Sequence, residues 1–403
     1  MRKLILCLVF LLLFAVGCGA AAVYVPVTSP ALTTSPEPEI VYLELFLERP
    51  NQVLGKYEPS NGVLLGVYIG SDPTAGNIPT FNATTGVDHA IFAHVMHLGD
   101  DFPLRWVLEN IAASAAPFIT LLPPLEGAPL NLELLESFAH DIALFNAPAF
   151  VQLFPLSSAT IFNPSDYTAF FQQAYALFAE IAPNVALVWG FDGHMLAQAS
   201  HFYPGYNSLH WINLTLYNEI CPEGYFQDIT GTLKFFEENF GNIAPLMLTT
   251  AVASYSMTSN RHFPAQAGVK IENLYESLAN FPRIGAIIYQ NYNDRAGRGA
   301  DFRINTSTML TTAYRNAAQR PRFLSQIPAD ATARVETTTQ ASPHRVVSRD
   351  FRFYIPTAAI YLDNTPQVHI NGQFYHALPY VLEAKNADFF VNFQAGTITL
   401  QLP

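Results

Sequence analysis

Seven carboxylates, Asp72, Asp100, Asp101, Glu126, Asp192, Glu219 and Asp294, follow closely on apolar, β-rich runs of the sequence. Two carboxyls held near each other can divide acid–base and nucleophilic work between them. Asp192 with Glu219 is one pair that neighbouring strand ends would present. The competing role for each acid is helix capping or solvent exposure, the commoner use of an acid in such a loop. His94 and His97 raise metal ligation, but residues three apart on an extended strand point to opposite faces. No metal and no cofactor is expected. Aromatic residues make up 13% of the chain, and Trp106, Trp189, Tyr217 and Tyr292 fall near strand ends where their rings could stack on a ligand. Core packing is the alternative for any one of them.

A chain that alternates between two periodicities must position these residues. Apolar runs at 63–70, 89–98, 116–124, 148–154, 185–191, 210–217, 244–254 and 284–292 are hydrophobic on both faces, the pattern of parallel strands covered by helices. Amphipathic stretches such as LELLESFAHDIALF and SDYTAFFQQAYALFAEIA lie between them, with helix starts at Asn163-Pro164-Ser165-Asp166 and Asp228-Ile229-Thr230. No helix is evident between the first two strands. Eight such units over roughly 260 residues predict an α/β fold, a (β/α)8 TIM barrel, whose typical size is about 250 residues. An open doubly wound sheet is the alternative, and GVYIGSDP lacks its glycine-rich first turn. In a barrel the residues following the strands share one mouth, so the seven acids would meet there.

Composition divides the rest of the chain. Residues 1–18 carry Arg2 and Lys3, a short apolar run and a small-residue end, the pattern of a signal peptide and too short to cross a bilayer. Ala15-Val16-Gly17-Cys18 resembles the bacterial lipobox, with Ala15 in place of the usual Leu, and implies lipidation at Cys18. The expected location is the outer face of the cytoplasmic membrane or the cell surface, held through that lipid; simple cleavage and release is the alternative. A Pro-, Ser- and Thr-rich tether spans 19–40, the barrel 41–320, a linker 321–349, and a small α+β domain of hairpin, helix and hairpin 350–403. Half of the 403 residues are hydrophobic and 13% are charged, so a large core can form without disulfides, and Cys221 alone in the exported part forms none. A net charge of −12 with no basic patch argues against nucleic acid as a partner.

Several pieces, in their order and spacing, carry a resemblance: GVYIGSDP, FNATTGVDHAIFAHV, FPLRWVLENIAASAAPFITLLPP, PNVALVWGFDG, FYPGYNSLHWINLTLY and RIGAIIYQNYNDRAGRGADFRINTSTMLTTAY. Together they resemble glycoside hydrolase family 26, best known as endo-β-mannanases. The resemblance implies a retaining glycosidase, which needs two carboxyls about 5–5.5 Å apart. One would follow a His at the end of the fourth strand and the other would end the seventh. Here those positions fall on Leu156, after Pro155 in place of the His, and on Thr250. Leu156 cannot donate a proton, and an unactivated Thr250 hydroxyl is a poor nucleophile. Residues 148–163 and 244–260 contain neither Asp nor Glu, so the absence does not depend on the alignment.

The resemblance therefore implies a family frame without its catalytic pair: a barrel that binds a polysaccharide or cell-envelope glycan, or serves as a scaffold. The alternative is an active glycoside hydrolase with displaced carboxylates such as Asp192 and Glu219. The run HINGQFYHALPYVLEAKNADFFVNFQAGTITLQ resembles a stalk module related to the N-terminal domain of copper amine oxidases. That resemblance concerns a non-catalytic accessory unit and implies no copper.

Overall fold

The computed structural model describes residues 54–70, 76–157 and 162–333, together with the backbone of strands at 39–48, 346–355, 367–370, 373–377, 388–392 and 397–401. The eight apolar runs form β1 (Val63–Tyr68), β2 (Ile91–His97), β3 (Ala116–Leu122), β4 (Ala149–Leu153), β5 (Val185–Asp192), β6 (Trp211–Asn218), β7 (Leu246–Val252) and β8 (Ile284–Gln290). Each pairs in parallel with the next, and β8 pairs with β1 from Ala286 opposite Leu64 to Gln290 opposite Tyr68. That last pairing closes the sheet, and the fold is a (β/α)8 TIM barrel.

Six helices occupy connections between the strands and a seventh follows β8: α1 (Ile78–Thr85), α2 (Leu104–Ala112), α3 (Leu132–Ala143), α4 (Pro164–Ile181), α5 (Thr230–Phe240), α6 (Pro264–Ser277) and, after β8, α7 (Thr308–Ala318). Helix α1 stands where the sequence showed none. Its apolar face is only Ile78 and Phe81, too short to register as a periodicity, and its ends define it instead. The Asn77 side chain accepts from the Thr80 N–H, Pro79 occupies the first turn, and Gly86 closes the helix at φ 70°. Between β5 and β6 the chain makes three short 3-10 turns, at Gly193–Met195, Ala199–Phe202 and Tyr206–Ser208.

Alternation along each strand sorts the core into two shells. Leu64, Ile91, Ala93, Phe118, Phe150, Val188, Trp211, Met247 and Ile288 fill the barrel. Their neighbours Leu65, Phe92, Ile119, Val151, Leu187, Trp189, Ile212, Leu248 and Ile287 face the helices. At the amino-terminal end, residues 54–58 seal the barrel. The Tyr57 hydroxyl donates to the Asn184 carbonyl (2.8 Å), and Trp211 Nε1 donates to the Lys56 carbonyl (2.7 Å). Glu58 is fully buried and accepts from Arg283 (2.9 Å) and from the Gly55 N–H (2.8 Å).

Phe323–Leu324 pairs in parallel with β1, and the strands at 39–48 and from 346 onward form a six-stranded sheet in the order 367–370, 373–377, 39–48, 346–355, 397–401, 388–392. Its two hairpins, 367–370 with 373–377 and 388–392 with 397–401, are the two the sequence predicts. Its third strand, Glu39–Glu48, precedes the barrel in sequence and pairs antiparallel with Gln373–Ala377. The expected helix between the hairpins, the signal segment with Cys18, most of the tether and the residues around Asp72 lie outside the described residues.

Candidate functional site

At the carboxyl ends of the strands the inward-facing residues enclose a cavity of about 280 Å³. Its floor is a chain of polar side chains from β4, β6 and β7. Thr249 Oγ1 donates to Asn213 Oδ1 (3.0 Å), and Asn213 Nδ2 donates to Gln152 Oε1 (2.7 Å). Gly190 on β5 leaves the room this requires, because a Cβ there would overlap the Gln152 amide. Tyr68, Thr215, Tyr217, Gln290 and Tyr292 form one wall, Ala93, Phe118 and Pro155 another, and Asp192 closes the end of β5.

The rim above this cavity is a linked cluster. The Tyr292 hydroxyl lies 3.3 Å from both the Tyr217 hydroxyl and Asp294 Oδ2, and the Tyr217 hydroxyl donates to Gln290 Oε1 at 3.4 Å. The Arg298 guanidinium sits 4.1 Å above the Tyr217 ring, 3.6 Å from Glu219 and 3.7 Å from Asp294. Two loops hold these groups. Short strands at Tyr255–Ser256, Arg261–His262, Asn293–Asp294 and Ala300–Asp301 join the loops after β7 and β8 into an antiparallel sheet. Asp301 pins it, with Arg303 at 2.8 Å and Arg295 at 3.2 Å. Burial alone would raise the Asp301 carboxyl, but hydrogen bonds from Arg303 and the charges of Arg303 and Arg295 hold it below its ordinary value.

Burial pushes the Asp192 carboxyl up, an effect that His194 and Arg298 only partly offset. Burial likewise raises the hydroxyls of Tyr68, Tyr217 and Tyr292. The cavity therefore offers neutral hydroxyl and amide groups and a single carboxyl, Asp192, among the described residues lining it. Such a surface suits a neutral ligand rich in hydroxyls and in hydrogen-bonding edges.

Five of the candidate residues meet at this mouth, Asp294 among them through its contacts with Tyr292 and Arg298 on the rim. Asp192, Tyr217 and Tyr292 line the cavity, and Glu219 stands beside it, 54% exposed, on Arg298. Trp106 belongs instead to a neighbouring groove with His94. Trp189 is fully buried on the outward face of β5, against Phe191, Tyr203 and Phe240, so it cannot contact a ligand at the mouth. Its parity with Val185 and Leu187 is the reason.

Leu156 and Thr250, the positions expected at the ends of β4 and β7, are both fully buried and face away from the mouth. Phe154 adopts φ 40°, which turns Pro155 into the cavity and sends Leu156 beside Phe191 toward the helices. The Thr250 hydroxyl donates to the Leu216 carbonyl at 2.7 Å, while Thr249 faces inward. Gln152, Pro155 and Thr249 are what these two strands give to the mouth, and none is an acid.

His97 Nδ1 bonds the Pro123 carbonyl at 2.6 Å and His94 lies against Trp106, so the two do not converge. Among the described residues no group of three His, Cys, Asp or Glu side chains is arranged to hold a metal ion. Asp100 accepts from the His97 N–H at 2.8 Å, a turn role, and Asp101 and Glu126 are exposed. The polar floor was missed in the sequence. Its signal was Gln152 and Asn213 interrupting otherwise apolar strands, where a buried amide needs a partner.

These features define a (β/α)8 barrel with a polar, aromatic-walled mouth. Among solved structures its fold is similar to a modular endo-β-1,4-mannanase from Cellulomonas fimi, described with glycoside hydrolase family 26 mannanases. The two are 14% identical, the match covers 81% of this chain and 94% of that one, and the TM-score is 0.53. An engineered protein is similar at 13% identity, covering 83% of this chain and 94% of that one with a TM-score of 0.51. A family 26 β-mannanase from Bacteroides ovatus is 10% identical, covering 71% of this chain and 97% of that one with a TM-score of 0.49. No family model and no curated protein matches the sequence. At these identities the likeness is one of fold.

Proposed function

We propose that the barrel binds a saccharide at its mouth without hydrolysing it, and that the protein does so outside the cytoplasmic membrane, tethered through lipid on Cys18. The observation that carries this reading is the pair of strand ends that deliver Gln152, Pro155 and Thr249, and no carboxylate, to the cavity. Glycoside hydrolysis by paired carboxyls needs them about 5–5.5 Å apart for retention or ~6.5–9.5 Å for inversion. Asp192 is the one acid among the described residues lining the cavity, and the rim acids Glu219 and Asp294 are both engaged by Arg298 beside it. Amide and hydroxyl groups on the floor and tyrosines on the wall suit sugar hydroxyls and sugar faces. The mannanases of similar fold make β-mannan the first ligand to try.

Calorimetric titration with β-1,4-manno-oligosaccharides, run beside a reducing-end assay, tests the reading: saturable heat with no new reducing ends is the expected result. One observation favours a second reading, hydrolysis with displaced carboxylates. Asp192 sits where burial keeps its carboxyl protonated to higher pH than usual, the state a general acid needs. Reducing ends released by the wild type and abolished by Asp192→Asn would replace binding with catalysis. Membrane attachment is checked by Cys18→Ala, which should move the protein from the membrane fraction to the medium.

A further inference from the structure

The polar floor of the mouth is bonded within itself, Thr249 to Asn213 and Asn213 to Gln152. Asp192 is a different case. It precedes the turn Gly193–Met195 but gives that turn no side-chain cap, and His194 and Arg298 act on it through their charge. Arg298 is itself engaged by two other carboxylates, Glu219 at 3.6 Å and Asp294 at 3.7 Å. Three carboxylates therefore share one guanidinium at the mouth and its rim, and negative charge is in excess there. A neutral sugar entering the cavity would strip water from Asp192 and return no counter-charge. The carboxyl would then be buried protonated or as an unpaired ion, and either costs free energy at neutral pH.

The surroundings of Asp192 suit a cation. Thr215 is its register partner on β6, Tyr217 follows two residues on, and all three line the cavity. With neighbouring strands about 4.8 Å apart, a group bound at Asp192 lies within reach of the Thr215 hydroxyl, which can accept a hydrogen bond. The tyrosines of the wall stand at steep angles to one another: Tyr292 lies 5.9 Å and 76° from Tyr68, and 6.5 Å and 68° from Tyr217. Ring faces of this kind attract cations, and Tyr217 already carries one, Arg298 at 4.1 Å. We infer that the ligand is an amino sugar, whose ammonium pairs with the Asp192 carboxylate beside Thr215 and the tyrosine wall. The inference rests on the saccharide-binding reading of the mouth and adds one substituent to it. The remaining hydroxyls of the sugar meet the amide and hydroxyl groups of the floor, in a space of about 280 Å³ that admits little more than one ring. Pairing holds Asp192 ionised, so the same contact removes it as a proton donor.

The test is calorimetric titration of the full chain with three β-1,4-linked disaccharides that differ at one substituent: the glucosamine disaccharide, its di-N-acetyl form and cellobiose. The β-1,4-manno-oligosaccharides serve as the reference. The amine should bind about tenfold more tightly than cellobiose, and the acetylated form, which has no charge, no more tightly than cellobiose. Asp192→Asn should bring the amine down to the level of cellobiose. Glu219→Gln, at the exposed rim, should keep most of the preference. Equal affinity for all three disaccharides overturns the amino-sugar assignment. So does a preference that survives Asp192→Asn, one that falls as far in Glu219→Gln and so reflects general attraction to a chain of net charge −12, or a loss in Asp192→Asn shared equally by cellobiose. Binding of manno-oligosaccharides without a preference for the amine overturns this inference alone. Absence of binding by every saccharide overturns the mouth reading with it.

Discussion

At the amino-terminal end of the barrel Glu58 and Arg283 are buried together, 2.9 Å apart, and Glu58 also accepts from the Gly55 N–H. At the carboxyl-terminal end Asp192, Tyr217 and Tyr292 face a cavity. Both ends remove polar groups from water, yet they satisfy them differently. Below, the partners are built into the protein, with the Arg283 side chain also donating to the Gly241 carbonyl and its backbone N–H donating to Glu237 Oε1 (2.6 Å). Above, desolvation of Asp192 is only partly offset by His194 and Arg298. Polar groups closed upon one another hold a fold, whereas polar groups turned toward a cavity are available to a ligand. The difference matches the division usual for barrels, with stability at the lower end and, under the proposed function, recognition at the upper one.

Glu58→Ala should separate the two ends most sharply. It leaves the Arg283 guanidinium buried without its carboxylate, a change that costs about 3–5 kcal/mol in comparable sites. Urea unfolding should show that loss, while saccharide affinity of the folded fraction stays within twofold. A loss of affinity as large as the loss of stability would mean that the ends are not independent. His89 gives the next effect. It is buried between Asn82 (2.8 Å) and Tyr314 (2.7 Å), and burial lowers its pKa from 6.5 to about 3. The unfolded chain takes up a proton near pH 6.5 that the folded one refuses until about pH 3. Stability is therefore full above pH 6.5 and falls as the pH drops through that window, by about 2 kcal/mol between pH 6.5 and 5. Thermal melts across that range should show a shallower slope for His89→Gln than for the wild type.

The barrel was legible because its strands are apolar on both faces, as in VALVWGF, and because each is followed by a loop and then, in most units, an amphipathic stretch. The lack of acids at two strand ends was equally legible, since no residue in either stretch carries a carboxylate. Which side chain faces the mouth was not. A slip of one residue on a strand reverses its face, and the left-handed turn at Phe154 makes such a change at Leu156. Thr250 and Thr249 differ by one position and by nothing a composition would show. Trp189 was recoverable, since it shares parity with Leu187 and Val185 in a strand whose outward face packs under helices. The stacking of Arg298 on Tyr217 was beyond reach, because it depends on an antiparallel sheet of two-residue strands drawn from loops about forty residues apart.

The smallest change is the one that tests the upper end directly. Asp192 has a raised carboxyl in the folded protein, so the folded state binds its proton more readily than the unfolded chain does. At neutral pH its charge therefore opposes folding, and this penalty is relieved as the pH falls through the raised value toward the ordinary carboxylate range. Asp192→Asn keeps the shape and one hydrogen-bonding oxygen while removing the charge. It should raise stability at pH 7 by up to about 1 kcal/mol, in the range of substitutions that relieve a functional site. The gain should shrink at acid pH, and saccharide affinity should fall severalfold if the carboxyl contacts the ligand. A destabilised Asp192→Asn protein with unchanged affinity would reverse the assignment, since Asp192 would then be held by the fold as Glu58 is. A gain in stability with a loss of affinity places the two ends of one barrel under opposite demands, because the group that the ligand needs is the group that the empty fold would be better without.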